Sequence, residues 1–353
     1  MPNNASLIIQ QVDLSDWKQD MDLYNVGLFN TWQWVSALTN DFTRDVYFHF
    51  LRGQEVVGKL SGFMLNQGKM KGRHLYFTSG PGLKQWSPEL FAACLQTLYR
   101  FALKEGYARV HVRPFEQEVH ERLELPHYFS TLAKEYVVVF AEHPERVKLS
   151  FGFKQNAKKA RKVGAEFHSS RSLEILERMF ELMDNTRLTR KEKYGHNYDP
   201  MYLLNLNRST LTKLLENGMG IMHYAVVDGV IHSVQFNLEH AGRIFALLMG
   251  SDDYAYRHGI PSFIDKTISA KAHEEGALYY NLGTVPLESE GGEGLKRYKE
   301  SQGGREILRY GYYTYFLTYP YKILNPFIKL SKKLPDHPVL NIGRSIIRLF
   351  NFS

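Results

Sequence analysis

One order of elements occurs twice in this chain, and few folds can satisfy it. Residues 46–51 are rich in β-formers, Arg52-Gly53-Gln54 makes a turn, and residues 56–65 read as the returning strand. A third strand at 75–78 ends in the breaker Ser79-Gly80-Pro81-Gly82. Ser87 then caps a helix with Pro88 at its first position. That helix stops at Gly106, and residues 110–112 form a further strand. The second pass runs from strand 221–227 through the hairpin dipeptide Asp228-Gly229 to strand 230–238. Strand 243–249, a break at 254–259, a helix opened by Pro261 and Ser262 and closed by Gly276, and strand 278–282 follow. The turn glycines Gly53 and Gly229 lie 176 residues apart, and the helix-ending Gly106 and Gly276 lie 170 apart. A repeat at this period points to a duplicated supersecondary unit. The expected fold is therefore α/β (α+β): two tandem units with mixed, mostly antiparallel sheets. The expected bounds are 1–150 for the first domain, 151–310 for the second, and 311–353 for a basic, aromatic tail.

Size and composition fit this plan. At 353 residues the chain holds two domains of about 150 residues. With 44% hydrophobic and 23% charged residues it is an ordinary globular composition. Cys94 is the sole cysteine and lies in an apolar helical run, which excludes an intrachain disulfide and favours a buried thiol over a nucleophile. The N-terminal residues have neither the basic start nor the apolar core of a signal peptide. No uncharged apolar stretch reaches the roughly 18 residues that span a bilayer. The chain reads as cytoplasmic. Its net charge of +7 favours anionic partners such as nucleic acid, phosphorylated substrates or an acidic membrane surface.

Between the two copies, residues 153–163 form a helix carrying Lys154, Lys158, Lys159, Arg161 and Lys162 with no acidic residue. Solvated helices usually mix signs, so this run is a candidate grip for the phosphates of tRNA or of a diphosphate head group. Two further helices are expected at 173–188 and 201–217. Residues 320–353 carry Lys322, Lys329, Lys332, Lys333, Arg344 and Arg348 against Asp336. Two apolar-basic stretches there, 323–334 and 339–350, are compatible either with peripheral contact on the inner membrane surface or with a helix pair packed on the body.

Four stretches carry a family resemblance. They are Phe29-Asn30-Thr31-Trp32-Gln33-Trp34; the basic run from Gln155 to Gly164; Thr186-Arg187 followed by Tyr198; and Gly276 with Asn281-Leu282-Gly283 and the segment from Gly294 to Gly304. In this order they resemble the Fem-type (FemABX-like) aminoacyltransferases within the acetyltransferase-like (GNAT) superfamily, including relatives associated with exopolysaccharide. The resemblance implies two tandem GNAT domains in a bacterial transferase. It would act on an amine of a cell-envelope precursor of peptidoglycan or polysaccharide. It also implies no tightly bound cofactor, with aminoacyl-tRNA or acyl-coenzyme A as donor co-substrate. Two positions depart from the pattern. Coenzyme A enzymes of this fold hold the pyrophosphate on a loop of small residues, where this chain has Tyr256-Arg257-His258-Gly259-Ile260-Pro261. Asn281 also stands where relatives often have aspartate.

Amide formation requires alignment of an amine with an activated carbonyl, acceptance of a proton and stabilisation of an oxyanion. Lys299, matching the lysine of the family's closing motif, is the first candidate for this work, with Tyr256 second. Arg187, Tyr198, Tyr298 and Trp34 are candidates for substrate contact. The histidines show no metal-ligand spacing, and no metal is expected. Two alternatives stand beside the aminoacyl transferase: an acyl-coenzyme A-dependent N-acyltransferase of amino sugars, and a non-catalytic protein that binds a glycan or lipid precursor. The sequence leaves acceptor, donor and oligomeric state open.

Overall fold

Strand-forming alternation and well-marked helix caps build two units in the computed structural model, which describes residues 6–66, 72–117, 119, 121–194, 201, 203–285 and 292–333. Unit 1 comprises residues 1–133 and 309–353, and unit 2 residues 134–308.

Unit 1 contains β1 (Leu7–Val12), β2 (Thr43–Arg52), β3 (Glu55–Asn66), β4 (Arg73–Phe77), the short β5 (Gly82–Leu83) and β6 (Arg109–Val112). The first four pair antiparallel in sequence, whereas β4 and β6 run parallel. The crossover between them is helix α3 (Pro88–Lys104). Its start follows the sequence code: the Ser87 hydroxyl accepts from the Leu90 N–H at 3.1 Å, with Pro88 in the first turn. Two shorter helices precede it, α1 (Leu14–Trp17) and α2 (Trp32–Ala37). Phe48, Leu60, Phe77, Phe91, Leu98 and Val110 form the core. Cys94 lies in that core, and burial pushes its thiol pKa up. The chain re-enters this unit at residue 309, where Tyr312 and Tyr313 pair with Val112 and His111. These tyrosines complete the sheet of unit 1, whereas the sequence reading left residues 311–353 as a separate tail. The unit bounds at 133/134 and 308/309 accordingly differ from those read at 150/151 and 310/311.

Unit 2 repeats the plan. Its sheet has the order β7 (Tyr128–Val139, from residue 134 on), β12 (Tyr279–Thr284), β11 (Arg243–Ser251), β10 (Val230–His240), β9 (Gly220–Val227) and β8 (Glu166–Ser170). Again one pair, β11 with β12, is parallel and the rest antiparallel. Helix α4 (Phe151–Lys162) is the basic helix, and α5 (Leu173–Tyr194) and α6 (Arg208–Glu216) follow. α6 begins later than the expected start at 201, because Asn207 and Thr210 form a reciprocal capping box that fixes the first turn. The expected break at 254–259 is instead a helix, α7 (Asp253–His258), capped by the Asp252 carboxylate on the Ala255 N–H at 2.8 Å. Helix α8 (Ile260–Glu274) fills the crossover, α9 (Gly292–Ser301) follows β12, and β13 (Arg305–Thr314) begins in this unit.

Gly259 separates α7 from α8 in the left-handed region, at φ +68°. A Cβ there would meet the backbone oxygen of Asn156 at 2.4 Å, so α4 is seated directly on this joint. Phe153, Ala157 and Ala160 form the buried face of α4, and Ala157 and Ala160 share a core with Ile260, Ile264 and Ile268 of α8. Gly259→Ala is expected to cost about 2–4 kcal/mol, from left-handed strain plus displacement of α4. Gly229→Ala, at φ +79° with open space around it, should cost only the strain, about 1–2 kcal/mol. Urea unfolding of the two variants measures the difference.

Candidate functional site

Parallel strands β11 and β12 pair only over Arg243–Phe245 and Tyr279–Asn281. Beyond those residues both strands continue without pairing to each other, to Ser251 and to Thr284. Two irregularities drive them apart. β11 carries an extra residue against β10, where Phe236 faces Leu248 and Asn237 faces Ala246. β12 carries Leu282 and Gly283 unmatched between its pairings with Val137 and Glu135 of β7. Gly283 takes φ +76° and receives its shape from Asn281, whose side-chain oxygen accepts the Gly283 N–H at 2.8 Å. The result is a wedge between 246–251 and 282–284, which do not pair with each other. In unit 1 the equivalent strands stay paired to their ends. His74–Phe77 matches Arg109–Val112, and Arg113 N–H still donates to Phe77 O at 2.8 Å.

Lys299 of α9 reaches this wedge. Its Nζ donates to Thr284 O at 2.8 Å and would lie 3.7 Å from a Cβ at Gly283. The side chain is buried, and burial lowers its pKa to about 8, against the opposing pull of Asp265 and Glu135. A proton on Lys299 is therefore exchangeable near neutral pH.

Behind Lys299 lies a buried polar network. The Tyr280 and Tyr298 hydroxyls each donate to one oxygen of Asp265 at 2.8 Å. Gln235 Nε2 donates to the Tyr280 oxygen and, at 3.0 Å, to Asn237 Oδ1. Burial raises the Asp265 pKa, opposed by these hydrogen bonds and by Lys299. Burial, and then Asp265 itself, hold Tyr280 and Tyr298 well above the usual phenol range. Gln235 Oε1 and Asn237 Nδ2 are buried with no hydrogen-bond partner, one acceptor and one donor on neighbouring side chains. On the other side, Asn281 Nδ2 donates to Glu135 Oε2 at 3.0 Å, with both side chains fully buried. An aspartate at 281 could not make that bond, which accounts for asparagine at this position.

The other expected residues divide. Tyr298 belongs to the network. Tyr256 of α7 is half exposed and close enough to Tyr298 to raise its pKa. Lys154, Lys158, Lys159, Arg161 and Lys162 are all exposed on α4, and none enters an ion pair among the described residues. Lys266 of α8 joins them: burial, then Arg161 and Lys154, lower its pKa. Trp34 is a correction. It is fully buried in unit 1, its Nε1 donates to Thr78 Oγ1 at 3.2 Å, and Phe29 packs edge-on at 4.8 Å. An aromatic motif residue on a short helix filled a core rather than a groove. The side chain of Arg187, on α5, and all of Tyr198 lie outside the described residues. Among those residues no group of three or more His, Cys, Asp and Glu could hold a metal.

Sequence reasoning did not reach Asp265, Gln235, Asn237, Glu135 or Lys266. Asp265 left one usable signal: it interrupts the buried stripe Pro261, Ile268, Ala272 of α8, where an unpaired acid is costly.

The doubled plan, with its parted parallel pair in unit 2, has counterparts among known proteins. The Acetyltransferase (GNAT) domain family matches residues 152–300. Residues 152–300 thus resemble a GNAT domain, and the fold of the chain is similar to that of FemX. The structure of FemX superposes with a TM-score of 0.66 at 13% identity, covering 86% of this chain and 96% of that one. The L-PGS of Bacillus licheniformis gives 0.54 at 16% identity, covering 86% and 93%. A conserved protein from Bacteroides thetaiotaomicron gives 0.55 at 15% identity, covering 87% and 98%. No curated protein matches the chain in a sequence comparison.

Asn281→Asp tests the brace of the wedge. It replaces a donor by a second buried carboxylate against Glu135 and should destabilise the chain by about 3–5 kcal/mol at neutral pH. The new carboxylate has a raised folded pKa, so the loss should shrink as pH falls towards the ordinary carboxylate range. Thermal unfolding against pH reads both effects.

Proposed function

We propose that this chain forms an amide by moving an aminoacyl or acyl group to an amine of a cell-envelope precursor, with the reacting carbonyl in the wedge of unit 2. The observation that carries the proposal is Lys299: a desolvated cation whose Nζ is anchored on Thr284 O where β11 and β12 part. The acceptor amine attacks the carbonyl carbon of an activated ester or thioester, and a C–N bond forms. The electron pair of the C=O becomes an oxyanion, which the Lys299 ammonium stabilises. Collapse expels the donor's alcohol or thiol, which takes the proton given up by the amine. Unpartnered Gln235 Oε1 and Asn237 Nδ2 offer an acceptor and a donor to a substrate amide. No protein nucleophile is needed.

Aminoacyl-tRNA is the donor this site favours. In coenzyme A enzymes a loop of small residues lets its backbone approach the pyrophosphate. Here the open face of Gly259 is filled by Asn156 of α4, and Pro261 has no N–H to offer. The exposed cations of α4, with Lys266, instead offer a row for a nucleic-acid backbone. Acyl-coenzyme A, the co-substrate usual for GNAT domains, is the second reading, with an amino sugar as acceptor. No helix among the described residues is long and apolar enough to cross a membrane, and the proposed location is the cytoplasm or its membrane surface.

Transfer assays with aminoacyl-tRNA and acyl-coenzyme A, on lipid- and nucleotide-linked envelope precursors, test the reading. Lys299→Ala should lower kcat by at least about 100-fold with the fold intact. In the wild type the rate should fall as pH rises through about 8, where the ammonium is lost. Lys299→Arg keeps its charge and should lack that alkaline limb. Transfer undiminished in Lys299→Ala would sink the assignment. Turnover with acyl-coenzyme A alone would move the chain to the second reading.

A further inference from the structure

The last described elements of the chain are a 3-10 turn, Tyr321–Leu324, and α10 (Asn325–Lys333). They are apolar on two sides. One side is packed: Tyr321 and Ile328 are buried with Ala108 and Phe316, flanked by Tyr315 and Leu324. The other side is bare. Ile323 and Phe327, one helical turn apart, are 61% and 62% exposed, and Tyr319, four residues earlier on the leading turn, is 74% exposed. Pro326 beside Phe327 is exposed as well. A single exposed hydrophobe is ordinary, but Ile323 and Phe327 one turn apart, with exposed Tyr319 in the turn just ahead, on an element already packed on its opposite side mark an interaction surface.

Charge indicates what covers it. No acidic residue occurs from Ile307 to Pro335. Exposed Lys322 and Lys329 border the stripe, their Nζ atoms 5.9 Å from the Tyr319 ring and 5.1 Å from the Tyr315 ring. Lys332, Lys333, Arg344 and Arg348 follow in sequence against Asp336. Tyrosine and bulky apolar residues on one face, with lysines at its rim, match a lipid interface, where the rings reach the acyl boundary and the cations stay among phosphates.

We infer that this face of unit 1 docks the chain on an anionic bilayer, with Tyr319, Ile323 and Phe327 inserted and Lys322 and Lys329 on lipid phosphate. The docking does not rest on which group is transferred, and its test needs no turnover.

The full chain is floated with vesicles of phosphatidylcholine alone, or of equal parts phosphatidylcholine and phosphatidylglycerol. Wild type should bind the second and not the first, and added salt should weaken it. The double variant Ile323→Ser/Phe327→Ser should bind at least about tenfold more weakly with little change in Tm, because both side chains are mostly exposed. Phe327→Trp should shift its emission to the blue on adding anionic vesicles. The inference is overturned if wild type stays with the soluble fraction, if the double variant binds undiminished, or if the Trp emission does not move. It is equally overturned if wild type is a dimer that the double variant converts to monomer, which would assign the face to a second copy.

Discussion

The short ladder between β11 and β12 is the constraint on which the candidate site depends. Parallel strands that pair along their length leave no backbone free. Here the pairing ends after Phe245 and Asn281, because each strand takes up extra residues against its other neighbour. That mismatch leaves the Thr284 carbonyl oxygen to accept from the Lys299 side chain. Unit 1 has the same order of elements and the same parallel pair, but a complete ladder. Duplication therefore supplied two frames, and strand register decided which of them has a wedge.

Burial gives the wedge its electrostatic character. Lys299 alone would be an ordinary surface lysine. Removed from water, it holds its proton less tightly, while Asp265 and Glu135 keep the loss moderate. Asp265 is in turn held by two tyrosines and by the desolvation that raises its own pKa. Such a network is stable only while every member keeps its partner. The amide atoms Gln235 Oε1 and Asn237 Nδ2 are the two in this network without a partner.

Helix α4 couples the packing of α8 to a basic surface. Its apolar face lies on α8, and its backbone occupies the space that Gly259 leaves open. The same contact turns the basic face outward and brings Lys154 and Arg161 near Lys266. One packing decision thus fills the space beside Gly259 and leaves the five cations of α4 exposed.

Legible in the sequence were the doubled order of elements, the hairpin turns, the Ser87 and Pro88 start of α3 and the basic face of α4. These are written in local codes of alternation, capping and glycine placement that act over a few residues. It did not reveal that residues 309–314 finish the first sheet, that Trp34 is core, or that Asp252 makes a helix where a break was read. Nor could it join Glu135 to Asn281, 146 residues apart, or Gln235 to Tyr280, 45 apart. Those meetings depend on register, bulges and burial, which exist only once the sheets are assembled. The chemistry of the lysine was legible as a residue type; its lowered pKa, its carbonyl anchor and the wedge in front of it were decided by the tertiary structure, because desolvation belongs to the packed chain.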